Sequence, residues 1–192
     1  MGLKRQKGHF LVSKTQVSSL QSPKKDWILA TKHLFNQVVE FYVLIYNTHH
    51  ELALVPNKSV YTSIEYLTIP TKNREQVSYL LPYNCPSVFR RAAIKKALGI
   101  FKTWQTSYNT WQTKRQKLKN KANKKDKKVK LPRPPLLPRN FNCSPTLYKG
   151  MYKDDLGDSL LIKLWTGESW AWVKHQYQGY NLPSDWGASH NC

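Results

Sequence analysis

Between Lys114 and Lys130, ten of seventeen residues are Lys or Arg, and the only acid is Asp126. Leu131 to Pro138 (LPRPPLLP) follows at once. Nothing else in the chain restricts its fold as much. A run of like charge this dense repels itself and does not pack without a neutralising partner. The prolines that follow, Pro132, Pro134, Pro135 and Pro138, cannot continue a helix and make a stiff, extended connector. The chain is thereby divided into elements before the run and elements after it. The commonest neutraliser of such a run is a phosphate backbone, so nucleic acid is the first partner to expect.

Charge follows the same division. The 192 residues carry a formal net charge of +20. Residues 1–140 hold 27 basic and 6 acidic side chains, and residues 141–192 hold 4 basic and 5 acidic. An apolar content of 40% is compatible with a folded core. The length allows one large domain or two small ones. The seven Trp can serve a core, or can stack on bases.

Several function classes find no support. Cys85, Cys143 and Cys192 form no CxxC pair, so neither a zinc ribbon nor a redox motif is suggested. Their odd number and the lack of a signal-peptide pattern favour a reducing, cytoplasmic setting. Phe35 to Tyr46, the longest apolar-rich stretch, contains Asn36, Gln37 and Glu40 and cannot span a bilayer. His49-His50-Glu51 does not make a metal site, because adjacent histidines on a helix diverge by about 100°. No glycine-rich phosphate loop occurs. No metal or other cofactor is expected on this chain.

The spacing of apolar residues predicts the elements. Residues 8–17 read as a strand that must pair with something later in the chain. Ser22-Pro23 reads as a cap and first helical position, opening a helix to about His49 with Leu34, Val38, Phe41 and Ile45 on one face. Asn57 caps a shorter helix over about 58–68, and residues 69–84 read as a loop. The strongest helix spans about 87–120, with Ala93, Ala97, Phe101, Trp104, Tyr108 and Trp111 as a core stripe. The Lys run continues this helix and frays. After the connector the period changes to two. Residues 160–165 and Trp170 to Tyr177 (WAWVKHQY) form a β-hairpin around Thr166-Gly167-Glu168-Ser169, and Asn140 to Leu147 is a further candidate strand. The expected class is therefore α+β: a helical lobe inserted between an N-terminal strand and a partial oligonucleotide-binding-type β-barrel. The implied boundaries are 1–21 for the strand, 22–120 for the helical lobe, 114–139 for the connector and 140–192 for the partial barrel.

The candidate binding residues fall into groups. Arg90, Arg91, Lys95, Lys96 and Lys102 form a basic flank on the long helix, where ordered charge can track a backbone. Lys114, Arg115, Lys117, Lys124, Lys125, Lys127 and Lys128 belong to the run. Arg139 and Lys149 lie beyond it. Trp104, Trp170 and Trp172 are candidates for base stacking. Core packing is the competing role for all three, and a solvated linker is the competing role for the run. No catalytic or metal-ligating residue is assigned.

A family resemblance rests on several stretches in fixed order. Pro86-Ser87-Val88-Phe89-Arg90-Arg91-Ala92-Ala93-Ile94 opens a long basic helix containing Trp104. A Lys- and Pro-rich connector ends at Pro138-Arg139. Ser144 to Tyr152 (SPTLYKGMY) and Leu161 to Lys174 (LIKLWTGESWAWVK) follow, and Phe35 to Tyr42 (FNQVVEFY) fits the preceding helix. Together they resemble the N-terminal half of the transposon-encoded OrfB/TnpB proteins, RNA-guided nucleases related to the type V CRISPR effectors. The resemblance implies a recognition lobe inserted in a wedge-type barrel, with guide RNA and target DNA as partners. It also implies that the metal-dependent nuclease domain lies beyond the matching region. On that expectation the chain alone is not an enzyme, and a companion nuclease chain is conceivable. The rivals are a compact nuclease using Asp154, Asp155 or Asp158, a nonfunctional transposon remnant, and a small stand-alone RNA- or DNA-binding protein.

Overall fold

The structure, a computed structural model, describes residues 20–125, 130–156 and 158–177. The strand expected over 8–17 lies outside these residues. The N-terminal strand that is described, β1, is Leu20–Gln21. Ser22 Oγ then accepts the Lys24 N–H at 3.1 Å, and the first helix, α1, runs Lys25–Thr48. Pro23 therefore precedes the helix rather than occupying its first position.

Helix α1 is buried over a wider arc than a single stripe. Leu34, Val38 and Ile45 are buried as expected, but so are Phe35, Val39, Tyr42, Val43 and Tyr46, while Phe41 is only partly covered. The reason is that α1 packs both along α3 (Ser87–Lys125) and against strand β3 (Ser159–Trp165). A helix covered from two directions shows no clean polar face to periodicity. A 3₁₀ turn over His50–Ala53 leads to α2, Asn57–Thr68. The first half of α3 contributes Phe89, Ala93, Ile94, Ala97 and Phe101 to the same core. Each large side chain buried there contributes roughly 1.5–3 kcal/mol.

At 39 residues α3 is about 58 Å long. It does not fray at residue 120, because its stripe continues: Trp104, Tyr108, Trp111, Arg115, Leu118 and Ala122 are all partly buried. Phe101, Trp104, Tyr108 and Trp111 form a ladder of ring contacts at 5.5, 5.3 and 5.1 Å, and the Arg115 guanidinium lies 5.4 Å from the Trp111 ring. The polyproline connector returns along this ladder. Trp111 Nε1 donates to the Pro132 carbonyl at 2.8 Å, and Trp104 Nε1 donates to the Pro135 carbonyl at 3.1 Å. The spacings match. Three residues of polyproline helix advance about 9.3 Å, and the seven residues from Trp104 to Trp111 advance about 10.5 Å. The connector is thus docked on the helix rather than being a free spacer.

Residues 141–148 alternate between partly buried and exposed, as a strand would, yet they join no sheet among the described residues. A side chain replaces the missing strand. Asn36 Nδ2 donates to the Cys143 carbonyl at 3.0 Å, and the Cys143 N–H donates to Asn36 Oδ1 at 2.7 Å. Gly150, at φ 100°, then turns the chain into β2, Tyr152–Lys153, a strand not anticipated from sequence. Strands β3 and β4 (Trp170–Tyr177) form the expected hairpin, with Trp165 opposite Trp170. Gly167 supplies the left-handed residue of its turn at φ 111°.

Among the described residues the sheet is antiparallel, ordered β1-β4-β3-β2. The α+β class is as expected, and the helices are inserted between β1 and its neighbours. The described sheet is open, with β1 and β2 as its edges. Thr31 ties it to α1: its Oγ1 donates to the Trp27 carbonyl at 2.6 Å and accepts the Trp165 N–H at 2.8 Å. No helix among the described residues is long and apolar enough to cross a membrane.

The inner sheet face holds a buried histidine, His175. Its side chain is fully buried, and neither ring nitrogen has a hydrogen-bond partner among the described residues. Burial disfavours the imidazolium and pushes the pKa down from its ordinary value near 6.5. The unfolded chain therefore takes up a proton at His175 before the folded chain does. Stability is complete above about pH 6.5 and is lost as pH falls toward the native pKa, with a slope of at most about 1.4 kcal/mol per pH unit. Thermal unfolding between about pH 6.5 and pH 5.5 checks this: Tm falls for the parent chain, and His175→Leu flattens the dependence. An equal fall in the variant would assign the acid sensitivity elsewhere.

Candidate nucleic-acid interface

Residues 141–192 contain four cations: Lys149, Lys153, Lys163 and Lys174. The sheet register brings three of them together. Lys163 stands opposite Trp172, and Leu161 stands opposite both Lys174 and Lys153. Trp172 and Lys174 are two residues apart on β4 and so share a face. The Trp172 side chain is 39% exposed, with Lys153 Nζ 4.7 Å and Lys163 Nζ 5.8 Å from its ring. The opposite face, bearing Ile162, Leu164, Val173 and His175, is buried. One exposed aromatic is ordinary on a protein surface. An exposed indole beside two ammonium groups, with a third lysine on the same sheet face, offers a partner for both things a single strand presents, a base face and a phosphate.

The other two stacking candidates serve the fold. Trp104 lies between Phe101 and Tyr108, with its N–H on the connector. Trp170 meets Phe89 edge-on at 5.0 Å and Trp165 at 5.6 Å, and its Nε1 donates to the Asn84 carbonyl at 2.9 Å. Only Trp172, of the three, keeps an open face. The sequence reading overlooked Lys153, Lys163 and Lys174 because the segment's net charge is close to zero. The period-two placement of Lys163, Trp172 and Lys174 was the available signal; Lys153 needed the β2 register.

The basic flank on α3 splits. Arg90 Nη2 and Nε donate to Glu65 Oε1 at 2.7 and 3.0 Å, and Arg91 Nη2 donates to Glu65 Oε2 at 3.0 Å. The Arg90 side chain is 14% exposed and holds α2 to α3, so it is not a free contact for a strand. Arg91 is 54% exposed. Lys95 and Lys96 rim a groove of about 670 Å³ between α3 and residues 135–148, and Lys95 Nζ sits 5.9 Å from the Tyr148 ring. Lys102, Lys114 and Lys117 are exposed along α3, as are Arg139 and Lys149 on the returning chain. Arg115 is partly buried on Trp111. The side chains of Lys124 and Lys125, and all of Lys127 and Lys128, lie outside the described residues.

The remaining chemistry is quiet. Burial pushes the Cys85 thiol up to about 11, which keeps it protonated and weakly nucleophilic at neutral pH. Asp154 is exposed, Asp155 is bonded to the Tyr177 hydroxyl, and Asp158 accepts from Ser159 Oγ at 2.9 Å. No group of three or more metal-ligating side chains occurs among the described residues. A model of the family described as the Aq_aa04 family matches residues 13–166. No curated protein and no solved structure matches the chain.

Proposed function

The chain belongs to the Aq_aa04 family, and we propose that it binds nucleic acid, with single-stranded or heteroduplex RNA as the main ligand. The observation that carries the proposal is the outer sheet face. Three of the four cations in the last 52 residues share that face with an exposed Trp172, although those residues carry no net positive charge. The exposed lysines of α3 add sequence-independent attraction for a backbone.

The finer reading is that the chain corresponds to the recognition and wedge-like portion of an OrfB/TnpB-type protein, holding guide RNA and target DNA by backbone and shape. The insertion of α1 to α3 between β1 and the remaining strands supports it, because β1 returns to pair with β4. In this reading the chain contributes binding, and a nuclease domain or companion chain contributes cleavage.

Trp172→Ala tests the stacking role. Loss of one base–aromatic contact costs about 1–3 kcal/mol, which weakens binding of a short single-stranded RNA roughly 5- to 150-fold. Because Trp172 is exposed, Tm should stay within a few degrees of the parent. Unchanged affinity in a folded variant would remove the sheet face from the interface.

A further inference from the structure

A second cluster of charge lies away from the sheet face. Arg74, Arg90 and Arg91 line one pocket of about 580 Å³ together with Glu65 and Tyr66. Arg74 comes from the loop after α2, and Arg90 and Arg91 from the first two turns of α3. Glu65 is the only acid lining the pocket, so three guanidinium groups face one carboxylate. The formal balance is +2.

Arg74 is held in place before any ligand arrives. Its guanidinium lies 3.9 Å from the Tyr66 ring, and Nη2 donates to the Ile69 carbonyl at 2.8 Å and more weakly to the Glu65 carbonyl at 3.4 Å. Its Nε is buried and has no hydrogen-bond partner among the described residues. Arg91 is half exposed, with donors beyond those that meet Glu65. Tyr66 is 61% exposed beside them. A structural ion pair needs one arginine per carboxylate. Here a second and a third are fixed at the same opening, and one has an unused buried donor.

We propose that this pocket binds the terminal phosphomonoester of a nucleic-acid strand. Charge selects the group. A phosphomonoester carries about −1.5 to −2 near neutral pH, whereas each internal phosphodiester carries a single charge. The planar fork of Arg matches phosphate oxygens in pairs. The open part of the Tyr66 ring gives the terminal nucleoside an aromatic surface. The inference deepens the proposed function and rests on it for the source of the phosphate.

The test compares one short RNA carrying a 5′-phosphate with the same RNA carrying a 5′-hydroxyl, in buffer free of phosphate. The phosphorylated strand should bind about tenfold tighter, the worth of one charge-assisted hydrogen bond at its lower limit. Arg91→Gln and Arg74→Gln should each bring the ratio close to one. Arg91, being exposed, keeps the test valid if Arg74→Gln does not fold. Lys163→Gln should weaken both strands and preserve the ratio. A ratio near one in the parent chain overturns the inference and leaves the sheet-face reading standing, as does a ratio that neither arginine variant changes. If the chain binds neither strand, the proposed function fails. The pocket is then decided with inorganic pyrophosphate: a rise in Tm that Arg91→Gln abolishes supports a phosphate site, and no rise overturns it.

Discussion

Glu65→Gln lowers the stability of the chain by about 3 kcal/mol, which for a domain of this size lowers Tm by roughly 6–12 °C. The reason is what the substitution leaves behind. Glu65 and Arg90 are each 14% exposed, and Glu65 accepts three hydrogen bonds from Arg90 and Arg91 shorter than 3.1 Å. Gln keeps the shape and one acceptor but removes the charge. Arg90 is then a nearly buried guanidinium with no counter-charge at the junction of α2 and α3. Removing one partner of a buried pair costs about 3–5 kcal/mol, and the lower end applies because the pocket opens to solvent. Arg91→Gln is the control. Its side chain is mostly exposed, and the expected loss is below about 1 kcal/mol. Thermal unfolding of both variants checks the contrast, and equal losses would show that α2 is not held by the Glu65–Arg90 pair.

The helices were legible in extent and in one stripe each. The core stripe of α3 was readable at Ala93, Ala97 and Phe101, but Ala92, Ile94 and Leu98 beside it are buried as well. Helix α1 was readable in extent but not in contact, because β3 meets only its start, while Thr68 and Phe101 of α3 close over Tyr42 and Tyr46 outside the expected stripe. The hairpin was readable because alternation and the Thr166–Ser169 turn agree. Residues 141–148 look like a strand for a sound reason: their burial alternates, but Cys143 pairs with the side-chain amide of Asn36, which no local pattern announces. The connector misled in the other direction. Polyproline reads as a spacer, and only the matching rise of the Trp104–Trp111 pair shows that it is docked.

The site was half legible for a related reason. Net charge pointed to the long helix, where Arg90 proves to be part of the fold. It pointed away from the sheet, where Lys153, Lys163 and Lys174 are brought together by pairing between β2, β3 and β4. Charge counted along a segment averages over faces, whereas a strand separates them every second residue.

The second large effect is on binding and bears on the central claim. In Lys153→Gln/Lys163→Gln/Lys174→Gln, the three ammonium groups on the face of Trp172 are removed while Trp172 and the buried face are kept. The near-ultraviolet spectrum and the Tm should therefore stay close to those of the parent. Each phosphate contact on a single strand contributes about 0.7 to the slope of log affinity against log salt. Titration of the parent chain and the triple variant with one short single-stranded RNA, from about 50 to about 300 mM salt, measures that slope directly. The prediction is a parent affinity that falls steeply with salt and a variant slope shallower by about 2, with the residual slope contributed by the lysines of α3. A parent affinity that does not change with salt, or a folded variant with the parent's slope and affinity, would contradict nucleic-acid binding at this face.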